Sequence, residues 1–407
     1  MRFNTLTLLF LSFVALTGCG DDKSSTTQPE SGENPEQDKS QVVQETCSAD
    51  EENTYRWVKE KVVYQICEKG KWVTDSVKAY KPGFDPCRFN FGAAFQSSHE
   101  DSVYYAGLDY VSVWLGDNDW YNMFESRMIS MSLKTKVTPM IYAYVIAEFG
   151  KDHGMDDCDV AKARGKKSLC VYGADLMRQY FDSSPDAENP DDYILYRYQT
   201  YVKGIAFQLE YKFDNIKDFE PIWMIEPDYY QYSQMASEQS TAFKGDEQLN
   251  GGIPDSMMGV YFKQIVDTIK TYLPGSKIAI DISPWVSDKD SLGLEKWFSH
   301  FDMSLVDYVS TSGGRTLADS EKIRSTNKLT WKRLYETLKK PILADVGYST
   351  GGKATKHDTA WDDIANLEAR AKDGVVGVMQ MDAALDYPLR ASYIRSRLQV
   401  DYPWCKE

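Results

Sequence analysis

Histidine is scarce in this chain. Its 407 residues hold only four, His99, His153, His300 and His357, and these are widely spaced. A histidine-based metal site is therefore not expected, and no cysteine pair has zinc-ligand spacing. Basic charge is also short. Lysine and arginine total 46 against 61 aspartates and glutamates, a formal charge of −15. Such a surface repels nucleic acid and anionic lipid. Long apolar runs are missing too. Only the first, Leu6 to Ala15, stands out, and it falls short of the roughly 20 residues that span a bilayer as a helix. No metal and no cofactor is implied.

What is present begins at that short run. Arg2 precedes it, and Leu16-Thr17-Gly18-Cys19 follows. A charged start, a brief apolar stretch and small residues at its end make a secretory signal over 1–18. The last four residues resemble the lipobox of bacterial lipoproteins. The resemblance implies cleavage before Cys19 and acylation of that cysteine. The expected location is outside the cytoplasm, anchored by lipid to the outer membrane or cell surface. Residues 19–45 are rich in Ser, Thr, Gln, Glu, Asp and Pro, the composition of a flexible tether.

Setting Cys19 aside leaves six cysteines, an even number in an exported chain, which implies disulfides. The expected pairs are Cys47–Cys67, Cys158–Cys170 and Cys87–Cys405. The first two close short local loops. The third joins the two ends of the main domain. Residues 46–80 read as a small Cys-bracketed β module, with alternating apolar residues around Gly70. It serves either as a stapled spacer or as a sugar-binding unit through Trp57 and Trp72.

From residue 85 to 407 the pattern changes. Short apolar runs occupy Phe89–Phe95, Tyr110–Gly116, Thr138–Val145, Pro221–Pro227, Lys277–Ser283, Val306–Ser312, Pro341–Gly347 and Gly377–Met381. Amphipathic stretches such as Tyr196–Phe213, Ser256–Leu273 and Trp361–Lys372 lie between them. Continuous apolar strands with helical spacers predict a parallel sheet under helices. Seven or eight repeats predict an α/β fold, a TIM-like β/α barrel. Val145–Asp191 is long for a connection and reads as an ordered loop on one barrel face.

The chemistry of such barrels gathers at the C-terminal strand ends. There the runs carry Gln96, Trp114-Leu115-Gly116-Asp117, Tyr142 and Tyr144, Glu226-Pro227-Asp228, Asp281 and Trp285, Ser312-Gly313-Gly314, Asp345, and Gln380 with Asp382. Any one acid there could be a helix N-cap. Together, carboxylates and aromatics on one face suit glycosidic bond cleavage. Aromatic faces stack on sugar rings.

At Glu226-Pro227-Asp228 the chain resembles glycoside hydrolase family 6, inverting endoglucanases and cellobiohydrolases on a distorted barrel. Trp114 to Asp117, Tyr142 with Asp157-Cys158, Ile280-Asp281-Ile282 with Trp285, and Gln380 to Asp386 follow that family's motif order over about 108–386. No Arg precedes Asp157, and the last strand lacks the family's Lys and Gly-Gly-Glu. The resemblance implies that Asp228 is the general acid, with Asp157 or Asp156 as its neighbouring carboxylate. It implies Asp382, or else Asp386, as the base. Asp281 would shape the −1 sugar site, and Trp114, Tyr142 and Trp285 would stack on glucosyl rings. Tyr144 and Asp345 join the expected substrate-binding set, and Glu226, pointing differently from Asp228, is either structural or sugar-binding. The expected protein is a monomeric, tethered hydrolase of cellulose-like β-glucan. Two other readings stand beside it. One is a retaining hydrolase using Glu226 with Asp345. The other is a lipoprotein that binds glycan without cleaving it.

Overall fold

A computed structural model describes residues 45–51, 55–58, 63–74, 83–95, 104–105, 107–115, 128–133, 135–157, 161, 164–181, 188–189, 192–213, 219–233, 253–282, 291–312, 314–325, 328–349, 353–354 and 356–405. The expectations for Cys19, Gln96, Gly116, Asp117, Cys158, Trp285 and Gly313 lie outside these residues. Among them no helix is long and apolar enough to cross a membrane.

Strands β1 (Tyr55–Val58), β2 (Val63–Glu68) and β3 (Lys71–Thr74) form an antiparallel sheet. The β2–β3 turn places Lys69 and Gly70 at positive φ, where glycine is unstrained. Cys47 bonds Cys67, with the sulfurs 2.01 Å apart. Trp72 is 7% exposed, so its ring packs inside and offers no platform to a sugar.

The main domain is a closed barrel. Its strands are β4 (Asn90–Ala94), β5 (Tyr110–Leu115), β6 (Thr138–Ala143), β9 (Ile222–Ile225), β10 (Lys277–Asp281), β11 (Tyr308–Ser310), β12 (Ile342–Asp345) and β15 (Val375–Gln380). They pair in that order, all parallel, and β15 returns to β4. Seven fall within the expected apolar runs, and β15 starts two residues before its run, at Val375. All eight strands, such as Ile222-Trp223-Met224-Ile225, are buried at almost every position because helices cover the outer face while side chains fill the inside. Short pairs β7 (Met155–Asp156) with β8 (Lys167–Ser168) and β13 (Tyr348–Ser349) with β14 (Lys353–Ala354) lie in connections.

The stretch expected to be one ordered loop is two helices around that first pair. They are α1 (Val145–Asp152) and α2 (Leu169–Tyr180). Val145, Ile146 and Phe149 recur at helical spacing and are buried, which is what folds α1 onto the barrel. The remaining helices are α3 (Ile194–Phe213), α4 (Tyr229–Ser233), α5 (Asp255–Tyr272), α6 (Ser291–Phe298), α7 (Trp331–Leu338), α8 (Ile364–Lys372) and α9 (Tyr387–Arg395).

The bottom of the barrel is locked by charge and a covalent bond. Asp109 is fully buried and takes ion pairs from Arg88 and Arg395, both at 2.8 Å. Cys87 bonds Cys405 across 318 residues of sequence. The amide of Asn90 donates to Val376 O at 2.8 Å, joining the first and last strands. These contacts all lie at N-terminal strand ends, where barrels place stability, and leave the opposite face to loops.

Candidate active site

Strand geometry assembles the aromatic side of the mouth. Trp114 on β5 is in register with Tyr142 on β6, and Tyr144, two residues on, projects to the same side as Tyr142. The Trp114 ring lies 4.9 Å from each tyrosine ring and stacks on Tyr144 at 20°. Trp114 and Tyr144 are half-buried, so both keep some surface toward solvent. Tyr142 differs from expectation. It is 1% exposed, too deep to stack on a sugar. Its hydroxyl instead donates to Asp345 Oδ2 at 2.5 Å.

Three of the acids come from barrel strand ends, and Asp157 follows β7 in the connection after β6. The Tyr144 hydroxyl is pushed well up, first by burial and then by the charges of Asp228, Asp157, Asp281 and Asp345. These four carboxylates therefore share one neighbourhood, although 188 positions separate Asp157 from Asp345 in the chain. Asp281 closes β10 and accepts the Ser312 amide at 2.8 Å. Asp228 follows β9 and accepts from Gln231 Nε2 at 2.6 Å. Asp345 ends β12 and is 1% exposed. Burial pushes its carboxyl up to about 6, against the Tyr142 hydroxyl, the Gly347 amide and the Arg324 guanidinium, which favour the ionised form. Gly347, at φ 62°, lets the chain turn after Asp345. A Cβ there would meet Gly314 O at 2.8 Å.

Four expected residues take other roles. Glu226 is fully buried and cannot touch substrate. Its Oε1 accepts from Ile146 N at the start of α1, at 2.8 Å, and from the Tyr198 hydroxyl at 2.5 Å. It thus serves the first turn of α1, where Tyr144 supplies no side-chain cap. Glu226 also sits at φ 40°, so the chain bends sharply between the strand and Asp228. Asp156 is paired with Arg164 at 2.9 Å, and the Arg164 bond, the Asp157 amide and Lys166 outweigh its burial and hold it below the usual range. It is not a carboxyl that keeps a proton. Asp386 is exposed and paired with Arg390 at 2.8 Å. Asp382 is exposed as well, and with Asp386 it acts on Tyr104, whose hydroxyl is raised mainly by burial. The loop after the eighth strand thus forms a second acidic locus, beside Tyr104.

Some functional neighbours escaped the sequence reading. Tyr232 is fully buried, its hydroxyl has no hydrogen-bond partner among the described residues, and burial, followed by the charges of Asp157 and Asp228, pushes its pKa well up. Its spacing of four from Asp228, across the start of α4, is the signal that could have found it. Helix α2 holds α4 in place by close approach. A Cβ on Gly173 would lie 2.9 Å from Tyr232 O. Cys170 on α2 is disulfide-bonded, its expected partner lies outside the described residues, and its sulfur is 3.4 Å from Gln231 Oε1. No group of three or more His, Cys, Asp or Glu side chains among the described residues is placed to hold a metal ion.

No family model and no curated protein matches this chain. The likeness to family 6 therefore rests on its motifs alone. Solved structures do align with it. An intracellular xylanase from Thermoanaerobacterium saccharolyticum, in complex with xylotetraose, is 10% identical with TM-score 0.39 over 72% of this chain and 86% of its own. A beta-1,4-mannanase from the sea hare Aplysia kurodai is 12% identical with TM-score 0.35 over 76% and 92%. A thiamine phosphate pyrophosphorylase from Pyrococcus furiosus is 10% identical with TM-score 0.31 over 76% and 94%. Such slight likenesses reach no further than the barrel, which its own strand pairing already establishes.

Proposed function

We propose that this protein is a glycoside hydrolase that cleaves β-linked, cellulose-like glycan chains at the C-terminal mouth of its barrel. One observation carries the reading. Asp157, Asp228, Asp281 and Asp345 converge on Tyr144, which is stacked on Trp114. An aromatic surface beside several carboxylates fits a neutral polymer whose cleavage needs one acid and one opposed carboxylate.

Asp228 is the general acid, donating its proton to the glycosidic oxygen as the bond to the anomeric carbon breaks. For the opposed carboxylate the surroundings favour Asp345 over Asp382. Asp345 lies in the Tyr144 group, whereas Asp382 lies with Tyr104. In this reading substrate binding uncovers the Asp345 carboxyl, which is 1% exposed in the free protein, and Asp345 then attacks the anomeric carbon. Water releases the sugar in a second step, giving its proton to Asp228, and the product keeps its anomeric configuration. The inverting reading, with Asp382 as base, places a water between carboxyls roughly 6.5–9.5 Å apart. NMR of the first product from a defined cello-oligosaccharide separates the two. The inverted anomer removes Asp345 from the nucleophile's role. A protein that binds glycan but releases no reducing sugar from amorphous cellulose, mixed-linkage glucan or xylan is a binding protein instead.

The Asp345 carboxyl must be ionised to attack, so kcat/KM should fall on the acid side near pH 6. The Tyr142 hydroxyl favours the ionised form. Tyr142→Phe should therefore move that acid limb to higher pH, while the rate above the limb falls modestly. An unmoved limb would detach Asp345 from the limb.

The chain is exported in this reading, and lipid on Cys19 holds it at the membrane surface. Labelling of expressing cells with radioactive palmitate should mark the wild type and leave Cys19→Ala unlabelled. Label on the alanine variant would refute the anchor.

A further inference from the structure

A second feature of the same face has chemistry opposite to the rest of the molecule. Arg315, Lys356, His357, Asp358 and Thr359 line a cavity of about 350 Å³, a volume in the range of small-molecule sites. Arg315 follows β11, and the other four residues lie between β12 and α8, so the cavity opens among the loops of the sixth and seventh strands. The eighth strand holds its wall. Gln380, the last residue of β15, accepts the Asp358 amide at 3.0 Å and donates to Asp358 O at 3.1 Å. Lys356 bridges to Asp382 in the loop that follows.

The charges are arranged, not incidental. Asp358 Oδ2 takes Nε of Arg315 at 2.9 Å and Nη2 at 2.8 Å. Its other oxygen accepts the Ala360 amide at 3.1 Å. Asp358 is thereby spent on one edge of the guanidinium. Arg315 is 58% exposed, and the remainder of its planar fork is held in a fixed orientation. Lys356 is exposed and makes no ion pair among the described residues. His357 is 8% exposed. Its Nε2 is 2.9 Å from Asp362, and its buried Nδ1 has no hydrogen-bond partner among the described residues. In a chain of net charge −15, Arg315 and Lys356 set against Asp358 leave this cavity lining with a net positive charge.

We infer that this cavity is a subsite for a carboxylate-bearing sugar, a uronic acid carried by the glycan chain. The inference rests on the glycan-cleaving reading and narrows its substrate class. A carboxylate matches the planar fork of arginine, and Lys356 supplies the second charge. Neutral sugar hydroxyls would leave the lysine without a counterion. The acidic mouth set around Tyr144 repels an anion, so the uronic acid is steered away from the cleavage position and toward the loops of strands six and seven.

Calorimetric titration of the full chain tests this without hydrolysis. The probes are a xylotetraose with one glucuronic acid branch, its carboxyl-reduced counterpart with glucose on the branch, and free glucuronate. Wild type should bind the acidic tetraose about tenfold more tightly than the reduced one, and free glucuronate only weakly. Lys356→Gln and Arg315→Gln should each erase the preference and leave affinity for the reduced form unchanged. Equal affinities in wild type, a preference that survives both substitutions, or free glucuronate binding as tightly as the branched probe would overturn the inference. If wild type shows the preference and cleaves no glycan, the subsite stands and the hydrolase reading fails.

Discussion

Asp228→Asn should lower reducing-sugar release from amorphous cellulose or mixed-linkage glucan about a thousandfold, the typical contribution of a positioned general acid. The substitution is nearly isosteric. Asparagine still presents an oxygen to Gln231 Nε2, which Asp228 accepts from at 2.6 Å. It cannot supply the proton that the departing sugar oxygen needs. The loss should therefore depend on the leaving group. An aryl glycoside with a strongly acidic phenol leaves without protonation, so the variant should cleave it far better, relative to wild type, than it cleaves glucan. A structural role for Asp228 would slow both substrates equally. Equal losses, or near-normal rates on glucan, would take Asp228 out of the acid's role.

The second large effect concerns stability and Glu226. Burial pushes its carboxyl from an ordinary value of 4.5 up to about 8, although the Tyr198 hydroxyl and the amides of Ile146 and Val145 favour its charge. The folded chain therefore keeps this proton between about pH 4.5 and 8, while the unfolded chain releases it. The group weighs nothing against the fold below the lower value. Stability is lost progressively as pH rises toward the upper one. The whole shift corresponds to about 5 kcal/mol, a large fraction of the margin of a typical domain. Glutamine resembles the protonated acid and keeps an acceptor for Ile146 N and Tyr198. Glu226→Gln should match wild type near pH 4.5 and exceed it by several kcal/mol above pH 8, read from urea midpoints across that range. Parallel pH profiles for the two proteins would show that Glu226 titrates normally.

Glu226 and Asp228 show where sequence reasoning stops. Both follow one strand, two residues apart, and alternation alone puts them on one side. The φ of 40° at Glu226 breaks that pattern. One carboxylate turns beneath α1 and the other joins the group around Tyr144. The run Val145–Asp152 carries the apolar spacing of α1, yet nothing local shows that its first amides need an acceptor from the far side of β9. The role of Tyr142 was misread in a similar way. Its position at a strand end was legible, but its depth and its bond to Asp345 depend on how eight strands close.

Short-range pattern by itself determined the barrel, because each strand of a helix-covered parallel sheet must be apolar on both faces and so writes its own signal. It also determined the pairs Cys47–Cys67 and Cys87–Cys405, since one closes a local loop and the other the two ends of a domain that closes on itself. The strand-end position of Asp228, Asp281 and Asp345 was legible for the same reason. Only the tertiary structure decided which acids meet. Electrostatic neighbourhood is set by distances across the mouth, between residues far apart in the chain, and no local period encodes them. It likewise set Asp382 and Asp386 beside Tyr104, buried Glu226, paired Asp156 with Arg164, and brought Arg315 to Lys356 in one basic cavity on an acidic protein.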